Sequence, residues 1–318
     1  MSFSSEVKEE LYGRIGSSRH CQLAEIAAII NSAGYIAKDS AGHLTLYIQA
    51  DNDLVVRKFF TLLKKAFNIR TSFLKELGDV KENGRIYRPV MTEGDELYAL
   101  LGAVRLLDGQ GNVRKAPCGV SPMVTRNSCC KRAFLRDSFL CLGSISDPNK
   151  GYHLEYVCDS EIQATQLQEM IESFDIEARI VRRKKYYVLY VKEGTGIVDL
   201  LNIMEAPVSL MNLENLRIVK EMRNSINRRV NCEVANITKT VNAATKQIED
   251  ITYIRDHYGL DNLPVSLHEM AEVRLEHPDA TLVELGRLLD PTVGKSGVNH
   301  RLRKLSDLAD KIRGGELW

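Results

Sequence analysis

The sequence predicts an α+β fold, in which two repeats of an antiparallel-sheet unit are followed by an all-α helix-turn-helix domain. Three observations predict it. A pattern of helix, glycine and β-hairpin occurs twice, around Gly34 and Gly143, which stand 109 residues apart. Each occurrence continues in the same order, with an amphipathic helix, two strands and a closing helix. Beyond Asn212 the strand periodicity disappears and helical patterns take over.

In the first repeat an apolar helix from Gln22 ends at Gly34. A short strand follows, then a turn at residues 38–42 and a second strand at 43–49. Asp, Ser, Gly and Lys supply the turn geometry. Residues 53–67 have helical amphipathicity, 69–77 and 85–91 read as strands joined by "GDVKENG", and 93–107 reads as a helix. The second repeat has a helix ending at Gly143, a turn at 147–151 and a strand at 152–158. A helix at 160–174, strands at 176–183 and 185–192 and a helix at 196–204 complete it. The loop "GQGNVRKAPCGVSPMVTRNSCCKR" joins the repeats; it lacks GxGxxG or Walker spacing, and its Arg114 and Lys115 are candidate phosphate contacts.

A third region follows. Val230, Val234, Ile237, Val241, Ala244, Ile248 and Ile251 recur at spacings of four and three. They form one apolar seam on a helix of about six turns or more. The seam reads as the packed side of a connecting helix, with a dimer seam and a DNA-spanning helix as the other readings. Arg217, Lys220, Arg223, Arg228 and Arg229 make the upstream part basic, and Arg228 and Arg229 are candidate phosphate contacts.

"LPVSLHEMAEVRLEHPDATLVELGRLLDPTVGKSGVNHRLRKLSDLAD" then reads as a helix-turn-helix. Ser266 with Glu269, and Thr281 with Glu284, have capping-box spacing. The helix at 282–289 turns Leu282, Leu285, Leu288 and Leu289 inward, and Gly286 leaves room for a crossing helix. "DPTVGKSG" breaks the chain, and Ser296 is placed to cap the last helix. That helix has a core stripe of Val298, Leu302 and Leu305. Its opposite face presents Ser296, His300, Arg303 and Lys304, flanked by Asn299 and Arg301. With Lys295 these are the candidate DNA contacts, because short polar and basic side chains on one helix face suit the major groove. The expected domains are therefore residues 1–208, with repeats at about 20–107 and 128–206, a helical linker at 209–258, and the helix-turn-helix at 259–318.

Bulk properties bound the function. With 318 residues the chain has room for two or three domains, and 44% apolar and 27% charged residues are ordinary for a soluble protein. A net charge of +1 leaves local basic patches as the feature to look for. No apolar run reaches membrane-spanning length and the N-terminus has no signal-peptide core, so no membrane partner is expected and the expected location is cytoplasmic. The seven cysteines lack a CxxC pair, and adjacent Cys129 and Cys130 do not make an ordinary metal knuckle. The histidines show no HExxH or other ligand spacing, and His43 and His153 read as strand-end residues. No metal and no cofactor are expected.

The doubled helix–glycine–hairpin pattern resembles the single-chain LAGLIDADG homing endonucleases over roughly residues 23–205. The resemblance implies two motif helices packed at a pseudo-twofold axis and hairpins joined in one DNA-binding saddle. It also implies a metal-binding carboxylate beside each glycine. Ala24, Ala27, Ala28 and Ser32 on one helix, and Ala133, Ser138 and Cys141 on the other, are small enough for such a seam. Asp137 departs from the pattern; a charge there needs a partner or exposure, and is expected to tilt that end of the crossing open. At the carboxylate positions stand Ala33 and Leu142, neither of which offers an oxygen to a hard cation. No nuclease activity, and no enzyme activity of another kind, is expected.

"RIVRRKKYYVLYVK" places Arg182, Arg183, Lys184 and Lys185 beside tyrosines on strands of the implied saddle. Phosphate contact, a protein-binding surface and a solvated lysine-rich edge all remain open for it. The repeat together with "RAFLRDSFLCLGSISDPNKGYHLEY", "RRVNCEVANITKTVNAATKQIEDI" and "LVELGRLLDPTVGKSGVNHRLRKLSD" resembles the WhiA family across nearly the whole chain. The resemblance implies a sequence-specific DNA-binding transcription regulator, located on the nucleoid. Its expected role lies in cell division, chromosome segregation or sporulation-type septation. Double-stranded DNA is the expected partner, with RNA polymerase or another regulator as candidate protein partners. The alternative is a nucleoid-associated scaffold whose repeat domain binds a protein.

Overall fold

The computed structural model describes residues 2–40, 42–49, 53–82, 84–113 and 119–315. Arg114 and Lys115 lie outside the described residues. The chain divides into two compact units, residues 1–220 and 221–318.

The first unit opens with helix α1 (Phe3–Tyr12) and contains the two repeats. The first repeat comprises α2 (Arg19–Ala33), β1 (Gly34–Lys38), β2 (Leu44–Gln49), α3 (Asp53–Phe67), β3 (Val80–Glu82), β4 (Arg85–Thr92) and α4 (Asp95–Ala103). The second comprises α5 (Ser128–Leu142), β5 (Gly143–Ile145), β6 (Leu154–Cys158), α6 (Glu161–Glu172), β7 (Arg179–Arg183), β8 (Tyr186–Val191) and α7 (Gly194–Ile203). Each repeat builds one antiparallel four-stranded sheet, ordered β1-β2-β4-β3 and β5-β6-β8-β7. The predicted α+β fold and its duplication are therefore observed.

The motif glycines occupy matching places, Gly34 opposite Ile48 and Gly143 opposite Tyr156. Both follow directly on a helix with extended backbone. A Cβ at Gly34 would meet the Ile30 backbone, and one at Gly143 would enter the Phe139 ring. The glycine is thus required by close approach of strand to helix.

Helices α2 and α5 pack against each other at the centre of the unit. Their contacts advance in step, His20 with Cys130 and Glu25 with Arg136, so the two run parallel. Ala24, Ala27, Ala28 and Ser32 of α2 and Ala133 and Ser138 of α5 are buried, and Cys141 is half-buried. Buried side chains occur on all sides of both helices, as expected of elements enclosed by the fold. Helix α3 covers the pair with Val55, Val56, Phe59, Leu62, Leu63 and Ala66.

One strand is displaced from its expected place. Residues 69–77 form no strand but end in a single 3-10 turn at Lys75–Leu77, and the edge strand is the short β3. Pro89 of β4 explains this. Its carbonyl accepts from the Leu74 N–H at 2.8 Å, so the N–H it lacks would face the same neighbour. A continuous ladder is impossible there. In α4 the helix is shorter than residues 93–107, starting after Gly94 and ending at Ala103.

Helix α8 (Pro207–His257) is 51 residues long. A proline at its first position suits a helix start, and Glu10 of α1 accepts from the Val208 and Ser209 N–H groups at 2.8 and 2.9 Å. The expected apolar seam is packed only at its C-terminal end. Ile251 is buried and Ile248 half-buried, but Val230, Val234, Ile237 and Val241 are 48–63% exposed. Among the described residues no neighbouring element covers that stretch, so the packed-side reading fails for it.

The second unit is built on the end of α8 with α9 (Val265–Glu276), α10 (Leu282–Leu288) and α11 (Lys295–Arg313). Ile251 and Ile254 join Leu263, Met270, Leu285, Leu289, Val298, Leu302, Leu305 and Ile312 in one core. The Thr281–Glu284 capping box is present. That of Ser266 is not, because α9 starts after Pro264 and Ser266 falls inside its first turn. Ser296 likewise lies inside α11, which begins after Gly294. Leu282 is half-buried, and Leu288 is 50% exposed, since the inward face of α10 runs through Leu285 to Leu289. Gly286 faces the carbonyl of Val293 in the turn before α11 and the Val298 side chain of α11 itself, so its missing Cβ leaves room for that helix.

Candidate nucleic-acid interface

Helix α11 has two unlike faces. Val298, Leu302, Leu305, Ala309 and Ile312 are buried against α9 and α10, which fixes the rotation of the helix. Lys295, Ser296, Asn299, His300, Arg303 and Lys304 are all exposed. They occupy the first three turns, within roughly 14 Å of helix length at 1.5 Å per residue. Arg301 differs. It is half-buried, and its Nη1 donates to the Ser266 carbonyl of α9 at 3.3 Å, so it helps hold the two helices together. At the far end Arg313 bonds Asp250 of α8 at 2.7 Å and lies over Tyr253, anchoring α11 to the base of the unit.

The second basic group lies on the β7–β8 hairpin. Arg182, Arg183, Lys184 and Lys185 are exposed, and Lys184 takes a left-handed conformation with φ of 56° in the connecting turn. Arg182 lies over the Tyr187 ring and Lys185 over that of Tyr186. Arg183 is partly engaged by Glu155 at 3.3 Å. Arg228 and Arg229 are exposed on α8 in the second unit.

The positions beside the motif glycines hold Ala33, which is buried, and Leu142, which is half-buried. Between the two motif helices, charge has moved inward. Asp137 is fully buried, and its Oδ1 lies 2.9 Å from Lys58 Nζ of α3. Arg136, 2% exposed, pairs with Glu25 and with Glu205, the latter at 2.6 Å. Burial, together with the Asp137 charge, pushes the Glu25 carboxyl up to about 7 against the pull of Arg136 and Lys58. Burial raises Asp137 as well, opposed by Lys58 and Arg136. Asp137 therefore finds partners inside a closed crossing rather than tilting it open. Sequence spacing shows none of this, because Lys58 and Glu25 lie 79 and 112 residues away.

A further grouping escaped the spacing argument. His20, Cys21, Cys129 and Cys130 meet where the N-terminal turns of α2 and α5 lie side by side, their ligand atoms within 4.8 Å of one another. Cys21 and Cys130 are buried, His20 and Cys129 exposed. Burial and the neighbouring thiols push Cys21 up to about 12 and raise Cys130. The signal that finds the grouping is the repeat offset, which maps His20 onto Cys129 and Cys21 onto Cys130.

Two helix–hairpin repeats around parallel central helices, followed by a helical unit that presents one polar helix, define a LAGLIDADG-like protein carrying a helix-turn-helix module. Family models agree along the chain: the WhiA N-terminal LAGLIDADG-like domain matches residues 19–106, the WhiA LAGLIDADG-like domain 131–223, and the WhiA C-terminal HTH domain 226–309. The chain belongs to the WhiA family. It is 53% identical to the probable cell division protein WhiA of Lachnoclostridium phytofermentans, over 98% of this chain and 100% of the relative. Identity is 45% to that of Alkaliphilus oremlandii, over 100% of this chain and 99% of the relative. The crystal structure of full-length DUF199/WhiA from Thermatoga maritima is similar with a TM-score of 0.57 and 25% identity, covering 98% of this chain and 99% of that one.

Proposed function

We propose that this protein is a sequence-specific DNA-binding transcription regulator acting in cell division, chromosome segregation or sporulation-type septation. The observation that carries the reading is the exposed face of α11, with Asn299, His300, Arg303 and Lys304 on a helix whose rotation is fixed by its buried face. Arg303 has the fork geometry to bond guanine O6 and N7, and Asn299 can bond adenine N6 and N7. Lys295 and Ser296 sit at the N-terminal turn, where phosphate contact orients a recognition helix. Arg301 contributes through its hold on α9. Arg182, Arg183, Lys184, Lys185, Arg228 and Arg229 supply phosphate contacts that add affinity without specificity. The relatives named as cell division proteins supply the cellular setting of the proposal, and the nucleoid its location.

The LAGLIDADG-like unit serves binding and not cleavage. Two-metal hydrolysis needs carboxylates to place the ions, and Ala33 and Leu142 offer none. Purified protein on DNA that it binds, with Mg²⁺ or Mn²⁺, is expected to leave the strands intact. Cleavage that persists through clean purification and disappears in a point variant overturns this part.

In vitro selection of duplexes by the full chain tests the whole proposal. It is expected to enrich one short motif, and enrichment is expected to collapse with Arg303→Ala. A second reading draws on the exposed apolar stretch Val230 to Val241, a surface suited to a protein partner such as RNA polymerase or another regulator. On that reading the chain is a nucleoid-associated scaffold, and genome-wide binding without transcript change on depletion would distinguish it.

A further inference from the structure

We propose that His20, Cys21, Cys129 and Cys130 bind one Zn²⁺ ion that joins the N-terminal ends of α2 and α5. His20 Nδ1 lies 3.2 Å from Cys130 Sγ, 3.3 Å from Cys21 Sγ and 3.9 Å from Cys129 Sγ. Tetrahedral Zn²⁺, with bonds of about 2.0–2.1 Å to nitrogen and 2.3 Å to sulfur, separates a nitrogen and a sulfur ligand by roughly 3.6 Å and two sulfurs by roughly 3.8 Å. The observed nitrogen–sulfur distances bracket that value. All four ligand atoms lie within 4.8 Å of one another, close enough for one ion to draw them into a single shell.

The ligands come from equivalent places. Arg19 and Ser128 are the first residues of their helices, so each helix offers its second and third residues. Two adjacent helical residues point about 100° apart at 3.6 residues per turn, which is why one such pair makes no site. A parallel partner helix supplies the other half. Cysteine and histidine form a soft donor set that suits Zn²⁺ and not the hard cations of nuclease chemistry.

Electrostatics and access agree. Both helices direct the positive ends of their dipoles at the cluster, which favours the net negative charge of a metal centre with three thiolates. As each Zn–S bond forms, one thiol proton passes to solvent. Imidazole coordinates as a neutral base through Nδ1, and no electron moves. The finished centre carries one net negative charge, with Arg19 and Lys131 adjacent to it in sequence. Buried Cys21 and Cys130 form the floor, and exposed His20 and Cys129 leave an entry path. The two repeats are then joined at the helix ends opposite Gly34 and Gly143, about 20 Å from them at 1.5 Å per residue.

The test uses the full chain, stripped with a chelator and kept reduced, titrated with Co²⁺ and then Zn²⁺. One equivalent of Co²⁺ is expected to give the thiolate charge-transfer band and the intense visible bands of a tetrahedral ion, and Zn²⁺ is expected to abolish them. Cys129→Ser, Cys130→Ser and His20→Ala are each expected to weaken Zn²⁺ binding by more than roughly 100-fold, the upper end of what an outer-shell partner alone is worth. Cys232→Ser, an exposed cysteine of α8, is expected to bind as the parent does. Cys129 is exposed, so Cys129→Ser keeps its fold by circular dichroism, and Zn²⁺ is expected to raise Tm in the parent and not in this variant. The proposal is overturned by a reduced chain that takes up no Co²⁺, by uptake indifferent to Cys129→Ser and Cys130→Ser, or by an internal disulfide forming while no metal binds.

Discussion

Replacing Lys58 with methionine isolates the buried charge between the motif helices. Lys58 is 0% exposed, and its Nζ serves both Asp137 Oδ1 at 2.9 Å and the Leu11 carbonyl at 3.0 Å. Methionine fills much the same space, so the loss is electrostatic rather than a cavity. Among the described residues Asp137 would then keep the Arg136 Nε at 3.6 Å, on a guanidinium already engaged by Glu25 and Glu205. Breaking a buried pair from one side costs about 3–5 kcal/mol. For a unit of this size 1 kcal/mol moves Tm by roughly 2–4 °C, so a fall of about 6–20 °C is expected. Urea unfolding of the full chain, followed by circular dichroism, measures the loss in the first unit's transition. Adding Asp137→Leu to Lys58→Met removes the orphaned charge and is expected to restore most of the loss. A single variant within about 1 kcal/mol of the parent, or a double variant no better than the single, refutes the reasoning.

Glu25 gives a pH dependence of defined sign. Its folded carboxyl is raised from 4.5 to about 7, so the folded state holds the proton more tightly. Its contribution is fully present below pH 4.5 and is lost as pH rises towards 7, by about 3 kcal/mol at 1.36 kcal/mol per unit. Glu25→Gln is expected to flatten that fall in a stability–pH series, and an unchanged slope contradicts the assignment. Neutralising Arg182, Arg183 and Lys184 together is expected to weaken DNA binding equally on all sequences and to reduce the salt slope by about 2–3. Unchanged DNA binding with loss of a protein partner would make the hairpin a protein surface.

The duplication was legible because both motif helices end on glycines fixed by close approach, and Gly34 and Gly143 recur with the same elements behind them. Local chemistry placed α3 and the Thr281–Glu284 capping box well. Local chemistry also misled where a neighbour decides. Pro89 cancels a strand at 69–77 that has strand composition of its own. Pro264 and Gly294 start α9 and α11 early, so Ser266 and Ser296 are not caps. The apolar seam of α8 looked like a packed face, yet periodicity reports amphipathicity and not the presence of a partner. The Glu25–Lys58–Arg136–Asp137 network and the His20–Cys21–Cys129–Cys130 cluster depend on parallel packing of α2 and α5. Spacing along one helix cannot contain that information.

The proposal that α11 reads DNA sequence is tested most directly by measuring Arg303→Ala and His300→Ala on a selected duplex and on its scrambled counterpart, at one fixed salt concentration. A bidentate contact to guanine is worth about 1–3 kcal/mol of discrimination, so Arg303→Ala is expected to lower the ratio of the two affinities by roughly 5- to 150-fold. Binding to the scrambled duplex is expected to change far less. Equal losses on both duplexes would mean that α11 only holds phosphates and would contradict the proposal that this helix reads the sequence.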